Sequence, residues 1–420
     1  MTTCNALLVS APASGQGKTF ITAALARAWR NQGLRVQAFK CGPDFLDPMI
    51  LEVATGRPVY NLDFTMCGES DAEAQLYRAA QDADLIIVEG VMGLYDGSPS
   101  SADIAVRFNL PVLLTIDASG MAQTFGALAN GLLSHKPDLI PAGVLANKTG
   151  SAGHGKLLQD SLPLHLNWFG ALQKNEALSL PERHLGLFRA GEISDLEQKI
   201  EQAANALAPD LPLPPSVTFN APSTAIVAKP LADKVIAIAR DEAFCFIYQA
   251  NLDSLTDMGA RLVFFSPLHD LALPEADAYW LPGGYPELHL NEISSNAGMK
   301  HALHAAFTAG TPILAECGGM MALSSSLNNE ACFDLLPGVS KIEERLQGLG
   351  SLKATFPNGE LGAHTFHYGS FTTELPPIAT AKTRFGKVEN IYQHGSILAS
   401  FLHFYFASNP TLAAQLFTAR

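Results

Sequence analysis

Short apolar runs alternate with helix-length amphipathic stretches along the first half of this chain, and that alternation limits its fold more than any other property. The apolar runs have the length of buried parallel strands, and they lie at Ala6–Ser10, Val36–Lys40, Leu85–Glu89, Val112–Asp117 and Ala142–Asn147. Between them, Thr19–Gln32 and Ala122–Leu133 carry apolar residues at helical spacing. Strands that alternate with helices predict a doubly wound parallel α/β sheet, whose ligands bind beyond the carboxyl ends of the strands.

A proline-rich segment divides the 420-residue chain. The stretch 208–216 holds four prolines and can continue neither a helix nor a central strand. We therefore predict an N-terminal domain over 1–207, a linker over 208–234 and a C-terminal domain over 235–420. The strand pattern resumes after the linker, at Val235–Ala239, Arg261–Phe265, Ala278–Leu281 and Pro312–Ala315. The C-terminal domain is thus expected to be a second α/β domain.

Composition and charge exclude several classes of function. With 48% hydrophobic and 16% charged residues, the chain can bury two cores, and disorder is not expected. The formal net charge of −13 argues against nucleic acid as a partner, because a phosphate backbone needs clustered Lys and Arg. Apolar runs such as Leu85–Val88 are far shorter than the about 20 residues of a membrane span, and the first residues lack a signal-peptide pattern. Six scattered cysteines without a CxxC pair indicate a reducing compartment, so we expect a cytoplasmic protein without a membrane partner.

The segment Ser14–Thr19, Ser-Gly-Gln-Gly-Lys-Thr, follows the first predicted strand and opens the first predicted helix. In that position it has the form of a Walker A phosphate loop, in which backbone N–H groups curl around phosphates. Lys18 is expected to reach the β- and γ-phosphates of ATP, and Thr19 to offer its hydroxyl to Mg²⁺. The full motif has Gly where this chain has Pro12, so the alternative is a glycine-containing turn with a chance lysine. The residues predicted to bind ATP are Gly15, Gln16, Gly17, Lys18 and Thr19.

Acidic residues stand where the next predicted strands end. Asp44 lies in Lys-Cys-Gly-Pro-Asp-Phe-Leu-Asp-Pro (40–48) just after the second strand, Glu89 closes the third, and Asp96 follows it. Asp44 and Asp96 could each cap a turn, since one adjoins proline and the other glycine. Beside a phosphate loop, the set is better explained by Mg²⁺, which takes oxygen ligands and offsets converging negative charge. We predict Thr19, Asp44 and Glu89 as its ligands.

In the C-terminal half, Ala315–Gly319 (Ala-Glu-Cys-Gly-Gly) follows an apolar strand and precedes a helical run. This arrangement is typical of a nucleophile elbow, in which small residues hold the Cys317 side chain on a sharp strand-to-helix turn. The helix N-terminus is expected to lower the pKa of the thiol, and the Gly318 N–H to stabilise an oxyanion. A second glycine turn, Leu281–Glu287 (Leu-Pro-Gly-Gly-Tyr-Pro-Glu), is expected to supply the other oxyanion donor from Gly284.

The general base for Cys317 has to come from elsewhere in the sequence, and His403 is the candidate. Class I glutamine amidotransferases usually place Glu two residues after the catalytic His, whereas this chain has Tyr405. We therefore predict a Cys317–His403 dyad that releases ammonia from glutamine without an orienting carboxylate. The alternative for Cys317 is a buried structural thiol, which is a frequent environment for cysteine.

Together these segments resemble the cobyrinate/hydrogenobyrinate a,c-diamide synthases of corrin biosynthesis, essentially from end to end. The matching segments are 11–19, 40–48, 89–97, 281–287 and 364–368. The resemblance implies an N-terminal ATP-dependent synthetase domain similar to dethiobiotin synthetase, and a C-terminal class I-like glutaminase. It also implies sequential amidation of the a and c side-chain carboxylates of a corrinoid substrate, with ATP and L-glutamine consumed.

The same likeness assigns residues to the two activities. It implies that the metal and corrinoid site is shaped by Asp44, Leu46, Glu89 and Asp96, and that Cys317 and His403 serve the glutaminase. Two departures from the family pattern are visible: many members have a second His in place of Tyr405, and many have Arg-Gly before His364, where this chain has Gly362-Ala363.

Two alternative functions stay open at the level of sequence. One is the same chemistry on another tetrapyrrole, such as a nickel-sirohydrochlorin, and the other is a non-catalytic P-loop regulator. The sequence also leaves open whether the corrin carries cobalt, which carboxylate reacts first, how ammonia travels, and whether the chain forms a homodimer.

Overall fold

The structure is a computed structural model of the chain, and it describes residues 1–178, 182–183, 186–207, 211–222, 229–384 and 386–418. The chain forms two compact units. Unit 1 comprises Met1–Phe64 and Glu69–Ser223, and unit 2 comprises Thr65–Gly68 and Thr224–Arg420. In the described ranges, no helix combines the length and the apolarity needed to cross a membrane.

Unit 1 is built on a mainly parallel sheet. Its described strands are β1 Thr2–Ser10, β2 Val36–Cys41, β3 Tyr60–Leu62, β4 Leu85–Glu89, β5 Val112–Asp117, β6 Pro141–Thr149, β7 Trp168–Gln173, β8 Glu182–Arg183, β9 Gly186–Leu187 and β10 Ser216–Phe219. Seven of them run parallel in the order β3-β2-β4-β1-β5-β6-β7. β10 pairs antiparallel with the first residues of β1, and β8 pairs with β9 in a separate ribbon. The carboxyl ends of β1, β2 and β4 therefore meet at one edge of the sheet.

Helices cover both faces of this sheet. They are α1 Lys18–Asn31, α2 Leu46–Thr55, α3 Glu69–Asp82, α4 Ser101–Arg107, α5 Thr124–Ser134, α6 Ala152–Asp160 and α7 Leu196–Ala206. Successive side chains of a strand point to opposite faces, and β1 shows the result. Leu7 and Val9 join a core with Trp29 of α1, whereas Leu8 joins a separate core with Leu76 of α3. These two cores explain the near-continuous apolar runs of the sequence, because a strand that is buried on both faces has apolar residues at successive positions.

The first part of unit 2 repeats the parallel pattern. β11 Val235–Ala239, β12 Arg261–Phe265, β13 Ala278–Leu281 and β14 Ile313–Glu316 align in the order β12-β11-β13-β14. The helices of this unit are α8 Gln249–Asp257, α9 Leu290–Ser295, α10 Ala297–Thr308, α11 Gly318–Leu323 and α12 Pro410–Gln415. The bounds predicted for β11, β12 and β13 agree with the structure, so this part of the second α/β prediction is confirmed.

The rest of unit 2 is mostly antiparallel and was not predicted. Its strands are β15 Ser324–Leu327, β16 Glu330–Ala331, β17 Leu336–Ile342, β18 Gly348–Phe356, β19 Gly359–His367, β20 Gly369–Thr372, β21 Pro377–Lys382, β22 Val388–His394, β23 Ile397–Ser400 and β24 His403–Phe404. The large sheet continues from β14 as β23-β22-β21-β18-β19-β24, and β16-β15-β17-β20 form a smaller sheet. Because only Phe401 and Leu402 separate β23 from β24, the two ends of this run lie on one short segment of chain. The sheet therefore curls back on itself beside β14.

The predicted linker over 208–234 is only partly described, since 208–210 and 223–228 lie outside the described residues. Within it, Ser216–Phe219 forms β10 of the unit 1 sheet. The four prolines of 208–216 all precede this strand, so none of them interrupts its pairing with β1. All six cysteines lie in the described ranges, and none of them forms a disulfide.

Candidate functional site

The phosphate loop of unit 1 joins β1 to α1. Gly15 and Gly17 have φ of 75° and 84°, in the left-handed region that favours glycine. A Cβ on Gly17 would lie 2.5 Å from Nδ2 of Asn147, so any other residue would displace the Asn147 side chain in addition to straining the backbone. Asn147 Nδ2 also donates to the Gln16 carbonyl at 2.9 Å, and the Gln16 side chain accepts from the Asp117 N–H at 2.9 Å. The strand ends thus fix the loop against the N-terminus of α1, a ready anion site.

Lys18 is the first residue of α1, and its ammonium points across the loop. The Nζ atom donates to the carbonyl of Met92 at 2.5 Å and to that of Ala13 at 3.3 Å. Burial lowers the pKa of Lys18, and the nearby Lys40 lowers it further. A mostly buried ammonium held by two backbone carbonyls is suited to bind phosphate oxygens in their place.

A charged network lies directly behind the loop. Thr19 Oγ1 donates to Glu89 Oε1 at 2.7 Å, and Lys40 Nζ donates to the same oxygen at 2.9 Å. Lys40 also forms an ion pair of 2.6 Å with Asp47. Burial opposes the charge of Lys40, but Asp47 and then Glu89 raise the pKa of Lys40 above its ordinary value. Lys40 is not among the residues predicted from the sequence, although a lysine at the end of a buried strand was a usable signal.

The remaining predicted residues of this site have local roles in the structure. Asp44 Oδ1 accepts from the N–H groups of Leu46 at 2.8 Å and Asp47 at 3.1 Å, and so caps α2. Burial and then Asp47 raise the pKa of Asp44 to about 7. Asp96 Oδ2 accepts from the Gly93 N–H at 3.0 Å and closes a turn. Asp44 lines the cavity described next, whereas Leu46 and Asp96 do not.

A cavity of about 620 Å³ opens in front of the network, and its wall includes Lys18, Thr19, Lys40, Asp44 and Glu89. That volume suits a nucleotide-sized ligand. Within the described residues, Glu89 Oε2 is buried and has no hydrogen-bond partner. Burial also raises the pKa of Glu89 to about 7, against the effect of Lys40. An unsatisfied carboxylate oxygen beside the Thr19 hydroxyl fits a cation with oxygen ligands.

The residues present therefore fit Mg²⁺, with Thr19, Glu89 and Asp44 as the available oxygens. The described part of the chain contains no ready-made group of three or more His, Cys, Asp or Glu side chains in metal-binding geometry. Mg²⁺ does not need such a group, because in nucleotide sites it keeps several waters and takes phosphate oxygens beside one or two carboxylates.

Cys317 stands between β14 and α11 in unit 2, as the elbow predicts. Its φ of 46° is unusual for a residue other than glycine, and the Cys317 N–H donates to the Ser400 carbonyl at 2.7 Å. Burial raises the pKa of the thiol, although a hydrogen bond from the Gly318 N–H lowers it. The expectation that the helix N-terminus gives a low pKa was wrong in its net direction, because burial and then the negative charge of Glu287 outweigh that hydrogen bond.

Two glycines of the other turn pack against the elbow. A Cβ on Gly318 would lie 2.9 Å from the backbone N of Gly284, so the two predicted oxyanion donors are neighbours. A Cβ on Gly283 would lie 2.3 Å from Cε1 of His403 and 3.3 Å from Cβ of Cys317. Gly283 therefore packs against both residues, and the structure brings Cys317 and His403 together. Gly283 is not among the residues predicted from the sequence.

Hydrogen bonds to Glu316 link the three segments of this site. Glu316 precedes Cys317 and is 1% exposed. Glu316 Oε1 accepts from the Phe404 N–H at 2.9 Å, next to His403, and Oε2 accepts from Nε1 of Trp280 at 3.1 Å. Burial raises the pKa of Glu316 to about 8, against the effect of these two donors. Trp280 lies on β13, just before the glycine turn, so one carboxyl group links the elbow, the histidine and the oxyanion donors.

Comparison with known families finds a matching domain in each half of the chain. Residues 7–188 match the CobQ/CobB/MinD/ParA nucleotide binding domain, and residues 235–411 match the CobB/CobQ-like glutamine amidotransferase domain. A nucleotide-binding domain and a glutamine amidotransferase domain on one chain define an ATP-using ligase that forms amides with glutamine as the nitrogen donor.

Full-length relatives narrow this class. The chain is 51% identical to hydrogenobyrinate a,c-diamide synthase of Stutzerimonas stutzeri, with 98% of each chain covered. It is 49% identical to the Pseudomonas aeruginosa protein of the same name, over 98% of this chain and 97% of that one. A cobyrinate a,c-diamide synthase of Herminiimonas arsenicoxydans is 44% identical, over 98% and 96%. The chain belongs to the cobyrinate/hydrogenobyrinate a,c-diamide synthase family, as the sequence resemblance implied.

Proposed function

We propose that this enzyme amidates the a and c side-chain carboxylates of cobyrinate or hydrogenobyrinate. Unit 1 activates each carboxylate with MgATP as an acyl phosphate, and unit 2 supplies ammonia from glutamine through Cys317. The observation that supports the proposal is that one chain holds both groups of residues. One site has Lys18, Thr19 and Glu89 in a nucleotide-sized cavity, and the other has Cys317 and His403 close together against Gly283.

In unit 2, the Cys317 sulfur attacks the side-chain amide carbon of glutamine, and His403 takes the thiol proton. The proton then passes to the amide nitrogen, the carbon–nitrogen bond breaks, and ammonia leaves a thioester behind. Water, deprotonated by His403, hydrolyses the thioester to glutamate and restores the thiol. The N–H groups of Gly284 and Gly318 are the donors for the oxyanion of each tetrahedral stage.

In unit 1, a carboxylate oxygen of the corrin attacks the γ-phosphorus of ATP, and ADP leaves. Ammonia then attacks the acyl carbon, phosphate leaves, and an amide remains. Lys18 offsets the negative charge that gathers on the phosphate oxygens. Bound Mg²⁺ supplies further charge compensation, and Lys40 holds the carboxylates of Glu89 and Asp47 in place for it.

Two variants separate the half-reactions. Cys317→Ala is expected to abolish glutamine-dependent amidation while free ammonia still supports it, with Cys332→Ala as the control at another buried thiol of unit 2. Lys18→Ala is expected to lower amidation with either nitrogen source by roughly 1000-fold and to leave glutamate release intact. Its control is Lys156→Ala, at an exposed ion pair of unit 1. A folded Cys317→Ala protein that ammonia does not rescue would contradict this division of labour.

The acceptor is tested with cobyrinate and hydrogenobyrinate, each with MgATP and glutamine, and products counted by mass spectrometry. We expect gain of two amides on at least one of these corrins. A nickel-sirohydrochlorin is the comparison substrate, and preferential amidation of it would replace the corrin in this proposal. Glutamate release by the purified protein excludes a non-catalytic regulator.

A further inference from the structure

Tyr405, two residues after His403, offers no carboxylate to orient the imidazole. Its ring is fully buried and packs edge-on against the ring of Tyr248, with the centroids 5.7 Å apart. Tyr248 immediately precedes α8, and its hydroxyl oxygen lies 2.7 Å from Nδ1 of His364. Tyr405, near His403, therefore contacts Tyr248, and Tyr248 contacts a second histidine, His364.

His364 lies on β19, directly opposite His403 on β24 in the antiparallel pairing. Side chains of directly opposed residues point to the same face of a sheet, and here the two imidazoles stack. Their centroids are 4.6 Å apart and their planes differ by 15°. Each residue is 2% exposed, so water does not compete for this contact.

We infer that His364, held by Tyr248, is a positioning residue of the glutaminase and takes the place of the orienting carboxylate, an inference that rests on the function proposed above. A carboxylate would fix the His403 ring by a hydrogen bond, whereas a stacked ring fixes its plane by contact over the whole face. The hydrogen bond with Tyr248 in turn fixes the plane of His364. Gly283 has no side chain to fill the space that a Cβ would share with Cε1 of His403 and Cβ of Cys317, so Cys317 can lie close to the imidazole.

The stacked ring also suits the proton transfer. Burial, and then the nearby His367, lower the pKa of His364 to about 3, so His364 stays neutral when His403 takes the thiol proton. A neutral ring adds no positive charge beside the imidazolium that forms on His403. A second charged imidazole at this distance would oppose it.

The test compares three variants of the full-length enzyme by glutamate release from glutamine. His364→Ala removes the stacked ring and is expected to lower kcat roughly 100-fold with the KM for glutamine unchanged, because the base is misplaced rather than the substrate. His364→Phe keeps a stacked ring and is expected to recover at least about tenfold of that loss. Tyr248→Phe removes only the hydroxyl and is expected to lower kcat less than His364→Ala does.

His394→Ala is the matched control. The His394 ring also stacks on an aromatic ring, that of Phe307, with centroids 5.3 Å apart. It lies on β22 near the start of β14, whereas Cys317 follows the end of that strand. We expect His394→Ala to keep the wild-type kcat for glutamate release, and ammonia-dependent amidation to be unchanged in all four variants.

Three results would overturn the inference: a wild-type kcat for His364→Ala, a rise in KM alone, or a His364→Phe protein no more active than His364→Ala. If His364→Ala does not fold, by its thermal transition, the other two variants decide. Cys317→Ala, measured in parallel, separates this inference from the proposed function. Loss of glutamate release in Cys317→Ala together with a wild-type kcat for His364→Ala removes only the role of His364, whereas release by Cys317→Ala removes the glutaminase assignment itself.

Discussion

In unit 1 the site is made of ionisable groups in direct contact, whereas in unit 2 it is made of groups that burial keeps uncharged. Lys40, Asp47 and Glu89 form ion pairs of 2.6 and 2.9 Å behind the phosphate loop. Around Cys317, burial raises the pKa of the thiol and lowers that of His403 well below its usual range. The proposed chemistry explains the contrast. Phosphoryl transfer gathers negative charge and needs fixed charges around it, whereas thioester formation starts from neutral partners and needs exact positioning of one proton.

The charged site is the more sensitive of the two to loss of one member. Lys40→Met leaves the buried carboxylates of Glu89 and Asp47 without their cation, which typically costs about 3–5 kcal/mol of stability. We expect ammonia-dependent amidation to fall at least about 100-fold, because the metal-binding oxygens lose their arrangement. Glutamate release should be unchanged. The measurements are amidation with free ammonia, glutamate release and thermal unfolding.

Lys136→Met is the control for Lys40→Met, since Lys136 forms a partly exposed ion pair with Asp103 in the same unit. Exposed pairs contribute about 0–1 kcal/mol, so this variant should resemble the wild type. Equal effects of the two substitutions would show that charge contact behind the loop has no special importance.

The uncharged site is expected to be more sensitive to shape than to charge. Gly283→Ala places a Cβ 2.3 Å from Cε1 of His403 and 3.3 Å from Cβ of Cys317, and so separates the thiol from the base. Glutamate release should fall by about 100-fold, as expected when reacting groups move by an ångström, with ammonia-dependent amidation retained. Gly310→Ala, at a left-handed position with open space around it, controls for the cost of an added methyl group in unit 2. Similar kinetics of the two variants would argue against close contact at Gly283.

The smallest expected effect concerns Glu316 and pH. Its pKa in the folded protein is about 8, raised by burial, so the folded state keeps a proton that the unfolded chain releases at lower pH. The stabilising contribution of that proton is therefore present in acid and is lost as the pH rises towards 8. The melting temperature of the wild type relative to Glu316→Gln should fall between pH 5 and pH 8, by about 2–4 °C for each kcal/mol.

Glu292→Gln, at an exposed carboxylate of unit 2, is the control and should show a pH-independent difference from the wild type. A pH-independent difference for Glu316→Gln as well would mean that Glu316 is ionised throughout. The buried site would then contain a stable charge, and the contrast between the two units would be weaker than the structure indicates.

The sequence by itself determined the parallel strands and the motifs at their ends. Apolar runs of strand length, together with loops that follow them directly, fix both a strand and the local residues beyond it, which is why Gly15, Thr19, Glu89, Cys317 and Gly318 could be named. The cysteine elbow and the phosphate loop are local structures, so their residues are neighbours in the chain as well as in space.

Only the tertiary structure decided which distant residues meet. Lys40 reaches Glu89 because β2 and β4 are adjacent, and His364 stacks on His403 because the antiparallel run β23-β22-β21-β18-β19-β24 curls back on itself. Strand order and register are set by packing of the whole unit, and no local pattern records them. The sequence could therefore name the thiol and the base, but it could not show that a second imidazole, rather than a carboxylate, holds the base in place.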